Sequence, residues 1–440
     1  MISLADRAAT TMQVKYYGSA CAEIVTEDVR ILCDPWLLDG AFEGTWYHYP
    51  PLRSRPEDLD QYTHLFISHI HPDHCHGPTL ARLPRKCHVL IAAAGEPFLQ
   101  RSIEREGFTV EALEPGRTVT LAGRTEVTVF GAFTNNPLVT DAEIPNVIDS
   151  ALVVSAGGQT VFNANDNTPD DAACAMLRAR FPRLDLALLP YSGASEYPSC
   201  FENLTPAARA ERAEWKSRRY LDKFIANARA LEPRAILPFA GQYVIGGRHA
   251  DKNRCSGSPP VERALAALDA AGLRGLRVQE GDEIDVATLQ VHSTLPPYAG
   301  AGREDYIAQI ADRPYWFDTA GEAVAPDQLP PLLQKARARV WARQERYGWF
   351  RDYTMVIDVQ SATPRSFQFN FATPALTEVA PAAAPARPFL RVRIDERLLA
   401  LLLARKVHFN NIALGLHLGF FRDPDEYVPD ADMLMSYFHA

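Results

Sequence analysis

The chain has 440 residues, 47% hydrophobic and 22% charged, with a formal net charge of −9, enough to bury a large core and ordinary for a folded protein. It has no basic block and no Arg/Gly-rich tract, which argues against nucleic acid as a partner. The most apolar run, residues 398–404, is too short to cross a bilayer, and the opening MISLADRAAT lacks the apolar stretch of a signal peptide, so the expectation is a cytoplasmic protein without membrane contact.

In chain order, β-branched and aromatic runs separated by turn residues predict strands at 12–17, 21–26, 29–33, 64–68 and 87–92. Further strands are expected at 126–131, 151–156, 159–164, 186–191 and 235–240. Residues 205–231 have helical composition, with Thr205 placed to cap and Pro206 at the first helical position. Strands alternating with helices imply a layered α/β domain over 11–295. Beyond it, 330–350 reads as a helix and YTMVIDV and SFQFNFA as strands. The Ala/Pro segment 374–388 resembles a linker or surface loop, and a final strand and helices close an α+β region over 296–440.

The stretch FISHIHPDHCHG carries the chemistry. Its apolar run delivers His69 and His71 at a strand end, where an i, i+2 spacing turns both imidazoles to one side and lets two nitrogens meet one cation. Pro72 fixes the backbone as the strand turns and places Asp73 and His74 at the same rim, where a carboxylate and a third imidazole can hold a second cation. Asp34, before Pro35, reads as a turn or supporting residue, and Cys75 as small buried packing.

His69, His71, Asp73 and His74 following a strand resemble the hallmark of the metallo-β-lactamase fold superfamily. The opening strands through Asp34-Pro35 and the segment TVFNANDN extend the resemblance. It implies an αββα sandwich with a C-terminal α+β appendage, with Asp166 as a carboxylate able to bridge two metals. The family usually supplies another histidine between the motif and that aspartate, yet none occurs between His88 and His249. His76, a side chain of the loop 134–146, or water can fill that place, or one metal position is weak.

The patches DPWLLDGAFEGTWYHYPP, YSGASEYPSCFEN, LPFAGQYV, RHADKN and LGFFRDPDEY also resemble the iron-dependent CMP-N-acetylneuraminate hydroxylase family, in the part that follows its Rieske domain. That resemblance implies His249 as the closing ligand, one or two irons, and dioxygen as co-substrate. The reaction it implies is hydroxylation or other oxidation of an amino-sugar or nucleotide-linked small molecule. Asp73, His74 and Asp166 would be the residues at the reaction centre.

A Rieske centre needs Cys-x-His and Cys-x-x-His pairs, and none of the seven scattered cysteines is followed by histidine at either spacing. Electrons are then expected from a separate protein such as a ferredoxin with its reductase. Arg248, Lys252 and Arg254 can neutralise an anionic substrate, and Ser195 after a strand can face it. Trp36, Trp46 and Tyr47 can stack on a base or sugar, or cover the core. The alternative from the same motif is a zinc-dependent hydrolase of an ester, amide or phosphodiester, working through metal-bound water. A binding module on a decayed site is a third reading.

Overall fold

The structure is a computed structural model that describes residues 12–84, 87–136, 139, 141–319, 324–381 and 383–440. The opening MISLADRAAT, residues 137, 138 and 140 of the loop named above, and residue 382 of the Ala/Pro segment lie outside the described residues.

Two sheets face each other. One has eight strands in the order Gln290–His292, Glu283–Asp285, Gln13–Gly18, Cys21–Val25, Arg30–Cys33, His64–Phe66, His88–Ala92 and Thr109–Leu113. The other has six, in the order Ala235–Phe239, Leu186–Pro190, Gln159–Asn163, Ser150–Ala156, Thr125–Gly131 and Thr118–Leu121. Alternation along the strands assigns each side chain to a layer. Phe66 and Val161 point between the sheets with Ile24, Leu152 and Leu237. Their neighbours Leu65 and Phe162 point outward, Leu65 to a cluster shared with Ile103 of the helix Phe98–Arg105 and Phe162 to one shared with Leu177, Phe224 and Leu268 of three helices. The result is the αββα layering expected from the sequence.

The longest of those helices, Pro206–Leu231, starts where expected: the Thr205 hydroxyl oxygen accepts the Ala208 N–H at 3.2 Å. Strands Thr109–Leu113, Glu283–Asp285 and Gln290–His292 were not read from the sequence, because they are short and their exposed faces give weak alternation.

The C-terminal region contains the helix Leu329–Tyr347 and a five-stranded sheet in the order Leu376–Val379, Arg365–Asn370, Thr354–Gln360, Phe389–Asp395 and Gly419–Asp423. Part of the segment read as a linker is therefore the edge strand Leu376–Val379, paired antiparallel from Leu376↔Phe369 to Val379↔Ser366. Flanking alanines and prolines hide a strand only four residues long. One hydrophobic cluster unites this region with the first, joining Trp36, Phe42, Trp46, Phe201 and Ile245 to Phe317, Leu333, Met355, Leu402 and Phe409. Among the described residues no helix is long and apolar enough to cross a membrane. All seven cysteines are free.

Candidate metal centre

The strand His64–Phe66 ends before the motif, so the histidines stand on the loop that follows it, not on the pleat. That changes how they converge. His69 presents Nε2 and His71 presents Nδ1, 2.8 Å apart, with the rings at 82°. Pro72 lies in a tight turn closed by the N–H groups of His74 and Cys75 donating to the His71 carbonyl at 3.0 and 2.8 Å. The turn brings His74 Nε2 to 3.4 Å from Asp73 Oδ2 and 3.5 Å from Asp166 Oδ2, and His69 Nε2 is 3.8 Å from the same Asp166 oxygen. Asp166 follows the strand Gln159–Asn163 of the opposite sheet, so the group sits at one edge of the sandwich where both sheets end.

A fully buried carboxylate orients two of the rings. Asp34 accepts the Ser68 N–H and the Ser68 hydroxyl, each at 2.7 Å, and His74 Nδ1–H at 3.0 Å. With its own proton given to Asp34, the Ser68 oxygen accepts from His69 Nδ1–H at 3.0 Å. Both histidines thereby keep Nδ1 outward and turn Nε2 toward Asp166, where each nitrogen can offer a lone pair to a cation. Asp34 is thus a supporting residue, as its place before Pro35 suggested.

Burial, reinforced by the neighbouring His74, lowers His69 to about 4, and burial with His69 beside it lowers His71 to about 4. Burial opposes charge on His74, but the carboxylates of Asp73, Asp166 and Asp34 outweigh it and raise its pKa well above the ordinary value. Burial likewise opposes charge on Asp166, and the adjacent His74 overrides it, lowering the carboxyl to about 2. The set is therefore two neutral imidazoles, His69 and His71, beside a His74 whose positive charge the surrounding carboxylates favour, and a bound cation would take the place of that charge.

These residues fit a metal ion. One atom each from His69, His74 and Asp166 lies within 4.8 Å of the others. His74 Nε2 is buried without a hydrogen-bond partner while facing two carboxylates. Ligand atoms about 2.0–2.2 Å from one cation stand roughly 3–3.5 Å apart, near the spacings found here.

The sequence reading missed Asp149. It lines a cavity of about 140 Å³ together with His71, Asp73 and Asp166, and it accepts Asn146 Nδ2–H at 2.6 Å. Burial raises its carboxyl, with His71 beside it pulling the other way. The absent histidine between His88 and His249 was the available signal, but the loop considered for that place ended at residue 146, three positions short. His76, the other candidate, is bonded through Nδ1 to the Thr79 hydroxyl at 2.9 Å instead.

The remaining expected residues lie elsewhere. His249 was expected to close the metal set; its ring instead packs against Tyr315 and His417, with centroids 5.6 and 5.3 Å away. The cause is the short helix Gly247–Cys255, which Tyr315 holds by accepting the His249 N–H at 3.2 Å. Arg248 and Lys252, expected to meet substrate charge, have inner partners. Arg248 donates to both Asp318 oxygens at 2.7 and 2.9 Å, and Lys252 Nζ donates to the Leu416 carbonyl and to Cys200 Sγ. The Ser195 hydroxyl donates to the Tyr197 carbonyl at 3.1 Å, while the preceding Ser192 to Ala194 line the cavity. Trp36 is fully buried, and Trp46 lies flat against Tyr243, centroids 3.5 Å apart, as a wall of the cavity. Cys75 is buried packing, its thiol pushed up by burial to about 12. A second cavity of about 460 Å³ shares Ser19 and Tyr243 with the first.

Residues 29–211 match the family described as "Beta-lactamase superfamily domain". A Mycolicibacterium smegmatis protein named for a Rieske 2Fe-2S iron-sulfur protein is 30% identical over 339 residues, covering 75% of this chain and 62% of the relative. The cytidine monophosphate-N-acetylneuraminic acid hydroxylase of Pongo pygmaeus is 26% identical over 448 residues, covering 94% of this chain and 71% of the relative. Among solved structures, a diiron beta-hydroxylase from Streptomyces venezuelae superposes with a TM-score of 0.42 at 17% identity, over 65% of this chain and 55% of that one. The chain spans 62% to 65% of the length of the mycobacterial relatives it matches. His69, His71, Asp73, His74, Asp149 and Asp166 all fall inside the matched residues 29–211, and His249 falls outside. Residues 29–211 of the chain therefore carry the match to a β-lactamase superfamily domain, and the αββα layering around the site is in keeping with that match.

Proposed function

We propose that this chain is a non-haem iron-dependent oxygenase that hydroxylates or otherwise oxidises an amino-sugar or nucleotide-linked small molecule. The observation that carries the reading is the donor set: three imidazoles and three carboxylates gather at one cavity, where a hydrolase of this superfamily would use a further histidine. Asp149, which lines the same cavity, would shift the set toward the oxygen-rich ligation that suits iron. The likeness to hydroxylases over 94% of the chain supports the same reading.

His69, His71 and Asp149 would hold one ion, Asp73 and His74 a second, with Asp166 between them. Iron held there supplies activation of dioxygen toward a C–H bond, a reaction that takes up two electrons and two protons for each hydroxyl formed and water released. The chain's own residues bind and exclude. Asp34 and Ser68 hold the Nδ1 protons of His74 and His69 on the outer side, and Trp46 stacked on Tyr243 forms one wall of the cavity. The adjoining cavity of about 460 Å³ is of the size that holds a small-molecule substrate, and the smaller one leaves room only for its reacting end. Electrons would come from a separate ferredoxin and reductase.

Metal analysis of the full chain purified without added metal tests this. Iron at one or two per chain, with a near-ultraviolet band that changes on reduction, is the expected result. With CMP-N-acetylneuraminate as probe, a product one oxygen atom heavier should accumulate repeatedly only when ferredoxin, its reductase and dioxygen are present. Stoichiometric zinc with turnover under anaerobic conditions would overturn the oxygenase in favour of a zinc hydrolase.

A further inference from the structure

We propose that Asn410 is a positioning residue for the metal centre: its carboxamide grips the outer nitrogen of His71 and so decides which ring nitrogen faces the ions. The inference rests on the metal reading of the site and does not depend on which reaction follows.

His69 and His74 take their orientation from Asp34 and Ser68, close in the same domain, but that network does not reach His71. Its Nε2 lies 2.7 Å from Asn410 Nδ2, a residue 339 positions away in the C-terminal region. The opposite nitrogen, Nδ1, lies 2.8 Å from His69 Nε2. A neutral imidazole has one proton for two nitrogens. With His69 Nε2 offering a lone pair, the metal-free arrangement has His71 Nδ1–H donating to His69 and His71 Nε2 accepting from the Asn410 amide.

A cation between His69 Nε2 and His71 Nδ1 needs both lone pairs, so the His71 proton must sit on Nε2. Asn410 can serve this state too. A half-turn of its carboxamide replaces the Nδ2 donor with the Oδ1 acceptor at the same spot, and Oδ1 then accepts from His71 Nε2–H. A carboxamide satisfies both tautomers without any change of net charge. An aspartate would satisfy only the metal-bound one, and an apolar side chain neither.

The backbone that carries Asn410 is held tightly. It belongs to the helix Phe409–Leu414, one and a half turns long and too short to stand alone, whose Phe409, Ile412 and Ala413 are buried in the shared core. Trp46 Nε1–H donates to the Leu414 carbonyl at 3.2 Å. At Gly415 an added Cβ would come within 2.6 Å of the Phe42 carbonyl oxygen, so the helix end lies directly on the loop that walls the cavity.

The test uses the full chain stripped of metal and titrated with Co(II) alone, following its visible absorption. Asn410→Leu should bind Co(II) roughly 10- to 100-fold more weakly than the wild type, the usual effect of losing the partner of a ligating histidine. Asn410→Asp should keep wild-type affinity, since its carboxylate accepts from Nε2–H. Nitrogen-15 NMR of the zinc-loaded chain should show His71 protonated at Nε2 in the wild type and in Asn410→Asp, and a mixture of tautomers in Asn410→Leu. A folded Asn410→Leu variant with wild-type affinity and tautomer overturns the role of Asn410 alone. If that variant fails to fold, Asn410→Asp decides, and a tenfold loss there overturns the proposal. A wild-type chain that binds no Co(II) removes the metal reading and this inference together.

Discussion

The sandwich edge and the C-terminal region contribute to one centre in opposite ways. The edge supplies every candidate ligand, from loops that leave the ends of strands, and its orienting network of Asp34 and Ser68 is local. The C-terminal region supplies no ligand. It supplies cover, through Leu414 at the cavity wall, and one amide, Asn410, on the only ring the local network does not reach. The donor atoms follow from a motif, whereas their enclosure follows from packing between segments hundreds of residues apart.

The strongest way to break this comparison is to separate the regions. In residues 1–295 alone, Trp36, Phe42, Trp46, Phe201 and Ile245 would lose the side of the core formed by Phe317, Leu333, Met355 and Leu402. Each large apolar side chain uncovered loses up to roughly 1.5–3 kcal/mol, against a typical total stability of about 5–15 kcal/mol. The truncated chain should therefore aggregate or remain insoluble. A soluble, metal-loaded 1–295 protein would mean that the C-terminal region is an independent module and that the shared core contributes little.

The next largest effect lies within the centre. His71→Ala removes one of the two nitrogens of the position it shares with His69 and should lower metal content by at least one ion per chain, measured by elemental analysis on a variant whose circular dichroism matches the wild type. Unchanged metal content would place His71 outside the ligand set, and with it the reason for Asn410 to face the site.

Much of this was legible from residues alone because it is local. The histidine-rich stretch lies within six positions, and its Asp166 partner carries the NAND signature at a strand end. The αββα layers follow from apolar runs such as residues 159–164 and 186–191. What was hidden is non-local or weakly patterned. The strand Leu376–Val379 is masked by alanine and proline. Asp149 has no motif of its own and becomes recognisable only where the strand Ser150–Ala156 brings it beside His71. Asn410 sits in FNNIAL, whose sequence gives no hint of its partner. The basic segment GGRHADKNR misled for the same reason: composition shows charge, but not what neutralises it.

That last segment gives the smallest predicted effect and the sharpest distinction between a structural and a substrate role. Arg248 donates to both oxygens of Asp318 and lies over the Tyr315 ring, 4.4 Å from its centroid. The pair is half exposed, 51% at the arginine and 31% at the aspartate, so its net worth is at most about 1 kcal/mol, and the ring contact adds about 0.5–1 kcal/mol. Arg248→Ala should then lower stability by about 0.5–2 kcal/mol in denaturant unfolding, with metal content and affinity for cytidine monophosphate as in the wild type. A residue that neutralised substrate phosphate would behave in reverse, leaving stability nearly unchanged and weakening cytidine monophosphate binding by tenfold or more. The second pattern would return the basic segment to the substrate site and would require Asp318 to release Arg248 when substrate binds.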